Sequence, residues 1–290
     1  MIPGAFTYHA PSSLPAAIAL LSDGDAKVLA GGQSLIPLMR FRLSEPAVLV
    51  DINRIPGLDT LAERDGQLVI GALVRESALE RDPLVRERYP ILYETSVMVA
   101  DPLVRNLATV GGNLAHGDPA NDHPATMLAL RAEVAVIGPE GERAIPIDDF
   151  FQDTFSTALR PNEVLSEIRV PVPPAHSGGA YVKFERKVGD YAVAAAAAYL
   201  VLDARGAISH AGIGLTNASY RPLRGWKAEQ VLLGQQPSEA TLKAAADAAA
   251  AEAEPSGDLR GSAEYKRAMV RTMTLRALRK AAERASSVAS

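Results

Sequence analysis

The sequence contains no cysteine in its 290 residues. That absence excludes a disulfide, a thiolate nucleophile, a cysteine-type zinc site and any iron–sulfur cluster held by this chain. A cluster that works with the protein must sit on another chain. Aromatics are sparse at 5%, with a single tryptophan, and no basic cluster is interleaved with them as single-stranded nucleic acid requires. Neither charge sign dominates. Lys+Arg of 30 against Asp+Glu of 34 gives −4, too mild and too evenly spread for nucleic acid or an anionic membrane surface. The longest apolar run, Tyr191 to Leu202, is twelve residues and half alanine, against the ~20 that a membrane span needs. The start, Met1-Ile2-Pro3-Gly4, lacks the basic-then-apolar order of a signal peptide, so the expected location is the cytoplasm.

What is present is an ordinary globular composition, 48% hydrophobic and 22% charged, able to bury a core. At ~150 residues per domain the length suggests two domains. The first stretch reads as a helix to Leu21 stopped by Asp23-Gly24, a strand Lys27 to Ala30, a short helix from Ser34, and a strand Ala47 to Ile52 closed by Pro56-Gly57. A second unit follows, with a strand Gln67 to Ala72 and helices from Arg75 and over Ile91 to Ala100. Asp101 to Pro124 then reads as a long Gly/Asn/Asp/Pro-rich stretch with little periodicity, more often functional than a spacer. Met127 to Leu130 looks helical, Glu133 to Ile137 and Arg143 to Ile147 form a hairpin, and Val164 to Val170 is a strand. Pro171-Val172-Pro173-Pro174 with His176-Ser177-Gly178-Gly179 marks the domain boundary. Beyond it lie a hairpin, Ala192 to Leu202 with Ala207 to Leu215, and helices Ser238 to Glu252 and Tyr265 to Ala285. The end, Ser286 to Ser290, should fray.

Four motifs could carry chemistry. Ala30-Gly31-Gly32-Gln33-Ser34-Leu35 runs a strand into two glycines and a helix start, a place where backbone amides approach a phosphate. A plain tight turn is the alternative. Neither the Rossmann nor the Walker A spacing is present. The second, Arg105 to Leu114, pairs Gly111-Gly112 with the polar donors Thr109 and Asn113. Two such loops in consecutive α/β units suggest the two sides of one extended diphosphate. The third, His116-Gly117-Asp118-Pro119-Ala120-Asn121-Asp122-His123, has the residue types of a metal site. Gly117 and Pro119 spoil the helical spacing, so no metal is expected and the alternatives are Asx turns or a carboxylate accepting hydroxyls. The fourth, Glu185 to Ala192, is a charged turn before a strand, or an aromatic plus a cation covering a ring. No G-x-S-x-G elbow and no serine–histidine–acid trio stands out, so hydrolysis has no support.

Taken together, Ala30-Gly31-Gly32-Gln33-Ser34 and Thr109-Val110-Gly111-Gly112-Asn113 resemble the paired signature of the FAD-binding medium subunits of molybdenum hydroxylases, most of all the aerobic carbon monoxide dehydrogenase branch. The likeness runs from Phe6-Thr7-Tyr8 through Lys187-Val188-Gly189-Asp190-Tyr191 to the C-terminal helices. It implies an α+β fold: a vanillyl-alcohol-oxidase/PCMH-type FAD-binding domain over 1–175, of two α/β subdomains at about 1–57 and 58–175, and a smaller C-terminal α+β domain over 176–290. It implies pyrophosphate contacts from Ala30, Gly31, Gly32, Gln33, Ser34 and Leu35 and from Thr109, Gly111, Gly112 and Asn113. Asp122 would contact ribityl or ribose hydroxyls, Ile168 would offer backbone contacts to the ring or adenine side, and Lys187 and Tyr191 would lie beside the isoalloxazine. Gln33 departs from relatives that carry histidine there, and is assigned no catalytic role. The resemblance further implies a molybdopterin-containing large subunit and a small subunit with two [2Fe–2S] clusters, in a dimer of heterotrimers. Electrons would pass from molybdenum through the clusters to FAD and on to an external acceptor. Substrate selection would rest with the molybdenum subunit, leaving carbon monoxide, an aldehyde and an N-heterocycle open. Two other functions compete: a stand-alone FAD oxidoreductase of the same fold, and a nucleotide-binding scaffold without turnover.

Overall fold

The computed structural model describes residues 2–22 and 24–287. Three expectations touch residues outside that range: the start at Met1, the helix stop at Asp23 and the frayed end at 288–290. Strand β1 (Thr7–His9), helix α1 (Leu14–Leu21), β2 (Ala26–Leu29), α2 (Leu35–Arg40) and β3 (Val48–Asp51) form the first unit. Its three strands run parallel in the order β1-β3-β2. Ala17, Ile18 and Leu21 of α1 bury against Val50 and Ile52.

The second unit contains β4 (Leu61–Arg64), β5 (Gln67–Gly71), α3 (Glu76–Arg81), α4 (Pro83–Arg88), α5 (Pro90–Met98), α6 (Pro102–Arg105), α7 (Val110–His116), α8 (Asp122–Leu130), β6 (Glu133–Gly138), β7 (Gly141–Pro146), α9 (Ile147–Phe150), β8 (Phe151–Asp153), β9 (Ser156–Thr157) and β10 (Val164–Pro171). Its main sheet is antiparallel, in the order β4-β5-β10-β6-β7. The stretch expected to be aperiodic from Asp101 to Pro124 instead holds α6, α7 and the start of α8. These helices are too short to show a repeat, but their starts are marked. Asp101 Oδ1 accepts the amides of Leu103 at 2.8 Å and Val104 at 3.0 Å, and Pro102 takes the first helical position. Gly117, at φ +66°, ends α7.

The third unit contains β11 (Ser177–Phe184), β12 (Ala194–Leu202), β13 (Ile208–Thr216), β14 (Leu223–Arg224), α10 (Trp226–Leu232), α11 (Glu239–Glu252) and α12 (Ala263–Ser287). The sheet is antiparallel, β11-β12-β13-β14. Ser177-Gly178-Gly179, read from the sequence as linker, opens β11. Glycine stands there because α12 lies against the strand: a Cβ on Gly178 would sit 2.2 Å from the Ala281 carbonyl oxygen.

The alanine run of β12 has the same cause, with a helix pressed on each face. Successive strand residues point to opposite faces. Ala195 and Ala197 belong to the core of the second unit, whereas Ala194, Ala196 and Ala198 belong to the core under α11 and α12. On the first face α8 touches β13 backbone to backbone. A Cβ on Gly212 would lie 1.9 Å from the Ala129 oxygen, and one on Gly214 1.8 Å from the Ala125 oxygen.

Glu94 of α5 fastens the same junction. Its Oε1 is 2.5 Å from both Lys280 Nζ and Arg284 Nη2, and its Oε2 accepts the Tyr181 amide at 3.0 Å. Burial works against ionisation of this carboxyl, but the Arg284, Lys280 and Tyr181 bonds outweigh it and hold the pKa below the usual glutamate range. A lowered folded pKa contributes stability above the unfolded value, and that contribution is lost as pH falls through the folded one. Glu94→Gln should therefore cost about 1.5 kcal/mol at pH 7, the low end for a charged hydrogen bond because both cations are partly exposed. Thermal melts of wild type and variant should converge as pH drops below about 4. A gap that stays constant through that range would show that the charge of Glu94 contributes nothing.

Candidate functional site

The two glycine loops meet. The first runs from Ala30 to Ser34 between β2 and α2. Gly32 takes φ +73°, a conformation in which an L side chain is strained, and the Gln33 side-chain amide donates to the Gly31 oxygen at 3.2 Å. The second loop leads into α7. Thr109 Oγ1 caps that helix by accepting the Gly112 amide at 3.1 Å. Ala108, Val110 and Gly111 are bonded to Glu76, Val74 and Ala72 on the chain after β5.

A Cβ on Gly31 would lie 2.2 Å from the Leu107 oxygen, so the loops cross with no side chain between them. The crossing is tied down. Asn53 Nδ2 donates to the Ala30 oxygen at 2.9 Å, Arg75 Nη2 donates to Asn53 Oδ1 at 2.6 Å, and Arg75 Nη1 donates to the Leu107 oxygen. Gly31 and Gly111 are thus glycine so that chain can pass chain; a Cβ on Gly111 would sit 2.6 Å from Ala72 Cα.

A cleft of about 510 Å³ borders this crossing. Gln33 and Ser34 of the first loop, Phe41, His116 and Asp118, Phe155, and Tyr191, Asn217 and Arg260 of the third unit line it. Burial pushes the His116 imidazolium down, the Asp118 carboxyl up and the Tyr191 hydroxyl up from their ordinary values. A second cleft, about 370 Å³, is lined in part by Asn53, Arg54, Asp59 and Arg75, and so reaches the crossing from the residues that bind it together.

Of the residues singled out in the sequence, Gln33, Ser34 and Tyr191 line the larger cleft. Ala30, Gly31, Gly32, Thr109, Gly111 and Gly112 build the crossing, Leu35 opens α2, and Asn113 lies in the first turn of α7. The buried Oδ1 of Asn113 has no protein partner.

Asp122, at the start of α8, is only 6% exposed. Its Oδ1 accepts the Tyr181 hydroxyl at 2.5 Å and its Oδ2 accepts Lys183 Nζ at 3.1 Å. Burial raises its pKa against the pull of Lys183. Two of roughly four lone-pair sites are engaged.

Two expected residues lie away from the larger cleft. Ile168 is fully buried at the centre of the five-stranded sheet, paired with Ile70 on one side and Val134 on the other. Lys187 is exposed on the turn between β11 and β12, where its oxygen accepts the Asp190 amide, and it does not line the cleft. The lysine of this region whose side chain is buried is Lys183, four residues earlier on β11. Lys183 went unnoticed because β11 did, and Arg260 because it is far away in the chain. His116 and Asp118 were visible in a motif read as Asx turns or a hydroxyl-accepting carboxylate in preference to a metal site.

Residues 4–173 match the family described as the FAD binding domain in molybdopterin dehydrogenase. The chain belongs to the FAD-binding medium subunits of the molybdenum hydroxylases. Residues 179–281 of this medium subunit match the CO dehydrogenase flavoprotein C-terminal domain. It is 46% identical to the carbon monoxide dehydrogenase medium chain of Hydrogenophaga pseudoflava, covering 96% of this chain and 97% of that one. It is 40% identical to the 6-hydroxypseudooxynicotine dehydrogenase complex subunit alpha of Paenarthrobacter nicotinovorans, over 98% and 97% of the two chains. The solved carbon monoxide dehydrogenase of Hydrogenophaga pseudoflava superposes with a TM-score of 0.95 at 48% identity, over 98% of this chain and 99% of that one.

The expected α+β fold, with an FAD-binding domain and a C-terminal flavoprotein domain, is the one found, and the subunit is part of an oxidoreductase. The residues present fit FAD. Two loops cross between two clefts with no side chain separating them at Gly31, and Asn113 keeps an unclaimed buried acceptor. No helix among the described residues is long and apolar enough to cross a membrane.

Proposed function

We propose that this medium subunit is the electron-transfer flavoprotein of a three-chain molybdenum hydroxylase. It takes electrons from the [2Fe–2S] clusters of a small subunit, which a molybdopterin-containing large subunit supplies, and passes them to an external acceptor. The carrying observation is the pairing of a glycine-loop cleft with a chain that has no cysteine, so that clusters must be brought by a partner. Likeness to the Hydrogenophaga medium chain over nearly the full length favours carbon monoxide as the substrate of the assembled enzyme. The same proposal sets the complex in the cytoplasm as a dimer of heterotrimers, with the flavin domain over residues 1–175 and the C-terminal domain over 176–290.

The crossing of Ala30 to Ser34 with Leu107 to Asn113 would hold the pyrophosphate, through main-chain amides of the first loop left bare by Gly31 and Gly32, while the Gly111 and Gly112 amides, bonded to the Ala72 oxygen and Thr109 Oγ1, hold the second loop in place. Thr109 fixes the pitch of the second loop, and Asn113 Oδ1 offers an acceptor. Asp122, with two lone-pair sites left, would accept a hydroxyl while Lys183 and Tyr181 hold it still. Tyr191 would cover the ring with its flat face. The chemistry FAD supplies when bound is storage of electrons between donor and acceptor.

Purified alone, the chain should show flavin absorption and release FAD on denaturation, yet oxidise neither carbon monoxide, an aldehyde nor an N-heterocycle. Activity should return only with the two partner chains. Turnover of any of these by the isolated chain would replace this function by that of a stand-alone oxidoreductase, and absence of flavin from it would leave a scaffold.

A further inference from the structure

We propose that Arg260, and not a lysine of the 185–190 turn, is the cation that sets the charge environment of the flavin ring beside Tyr191. This rests on the reading that FAD occupies the larger cleft. Among the described residues, Arg260 is the one lysine or arginine that lines it.

The arginine is presented by a built turn. Between α11 and α12 the amide of Asp258 donates to the Gly261 oxygen at 3.0 Å, and the Gly261 amide returns a bond to the Asp258 oxygen at 3.2 Å. Asp258 Oδ1 also accepts the Arg260 amide at 2.7 Å. Its Oδ2 is anchored 2.9 Å from Lys266 Nζ, whose side chain is buried on α12. A buried ammonium thus fixes the carboxylate that shapes the turn that aims the guanidinium.

The other end is fixed as well. Arg260 Nη2 donates to Asp190 Oδ1 at 2.7 Å, and that same oxygen accepts the Tyr191 amide at 2.8 Å. The guanidinium carbon stands 5.7 Å from the centre of the Tyr191 ring. One carboxylate therefore holds the cation and the aromatic in register, and Arg260 Nε is buried with no protein partner.

The other titratable groups that face this pair are Asp190, Asp258, Asp118, His116 and Asp122, the last held by Lys183. Asp190 is shared by Arg260 and Arg186, and Asp258 is paired with Lys266. Asp118 and His116 line the cleft. Removing Arg260 would leave these carboxylates to face the ring with less compensation. A reduced flavin carries more negative charge than an oxidised one, so a fixed cation favours the reduced form.

The test is the reduction potential of the flavin-loaded enzyme complex, together with the affinities of oxidised and reduced FAD. Arg260→Gln should cut the preference for reduced over oxidised FAD by about tenfold, the size expected for one unit charge across a partly screened cleft. That is a fall of roughly 30 mV for a two-electron couple. Arg260→Lys should restore most of it. Asp190→Asn, which keeps the acceptor for the Tyr191 amide and removes a negative charge, should move the potential up. If Arg260→Gln does not retain flavin, the Asp190→Asn arm decides: a raised potential upholds the proposal and an unchanged or lowered one overturns it. An unaltered potential in Arg260→Gln, with a fall in Lys187→Met, also overturns it. Those results leave the flavin reading standing, whereas a wild-type chain that binds no FAD removes that reading itself.

Discussion

Gly31→Ala should strip the protein of FAD while leaving it folded. The added methyl would stand 2.2 Å from the Leu107 oxygen and 2.9 Å from Ala108 Cα, both of them main chain. Neither strand of the crossing is free to give way. The Leu107 oxygen is held by Arg75, and the Ala30 oxygen by Asn53, which Arg75 also holds. The loops must therefore part, and the amides they present part with them. Affinity for FAD should fall by more than tenfold, roughly 1.4 kcal/mol at the least. The three apolar cores are built from other residues, so circular dichroism should be unchanged. The checks are the flavin-to-protein absorbance ratio and titration of FAD into flavin-free protein. A variant that purifies with a full complement of flavin would mean that the crossing does not hold the cofactor.

The largest loss of stability is expected from Gly214→Ala. Its methyl would sit 1.8 Å from the Ala125 oxygen and 2.5 Å from the carbonyl carbon, which are main-chain atoms of a fully buried stretch of α8. No rotamer change relieves that contact. Helix α8 must lift off the sheet, and Asp122, in its first turn, must loosen from Tyr181 and Lys183. Overpacking of this kind lies at the upper end of the usual range, about 3 kcal/mol or more. For a chain of this size that is a fall in melting temperature of roughly 6–12 °C. Gly212→Ala should act alike, and the double variant should cost less than the sum, because the first methyl already lifts the helix. Melting of either single variant at the wild-type temperature would show that the helix and sheet are not in contact as described.

The two glycine loops and Tyr191 were legible because each is a local pattern: a glycine pair beside polar donors, and an aromatic after a charged turn. The hairpin of β12 and β13 and the helices α11 and α12 were legible from their length. What escaped was set by partners distant in sequence. Gly178 looked like a linker residue, yet it is glycine to admit the backbone of a helix about a hundred residues downstream. Alternation of Ala194 to Ala198 between two cores leaves no mark in a run of identical residues. Lys183 and Lys187 differ by four positions. One lies in a strand and the other in a turn, and no spacing rule separates them once the strand is missed. Arg260 meets Asp190 across seventy residues of chain. Ile168 carries no local signal of a site: its expected backbone contacts came from the resemblance alone, and its apolar side chain is explained by burial in the sheet.

One strand, β12, contributes alternate alanines to two cores at once. Two walls of the larger cleft, one carrying His116 and Asp118 of the second unit and the other Tyr191 and Arg260 of the third, are joined through that shared layer. A redox subunit gains from such construction. The rate at which an electron crosses a gap depends steeply on its width, so under the proposed electron transfer a closely packed junction would help keep the flavin at one place in the subunit. Small side chains at the junction are what let two cores close on one strand.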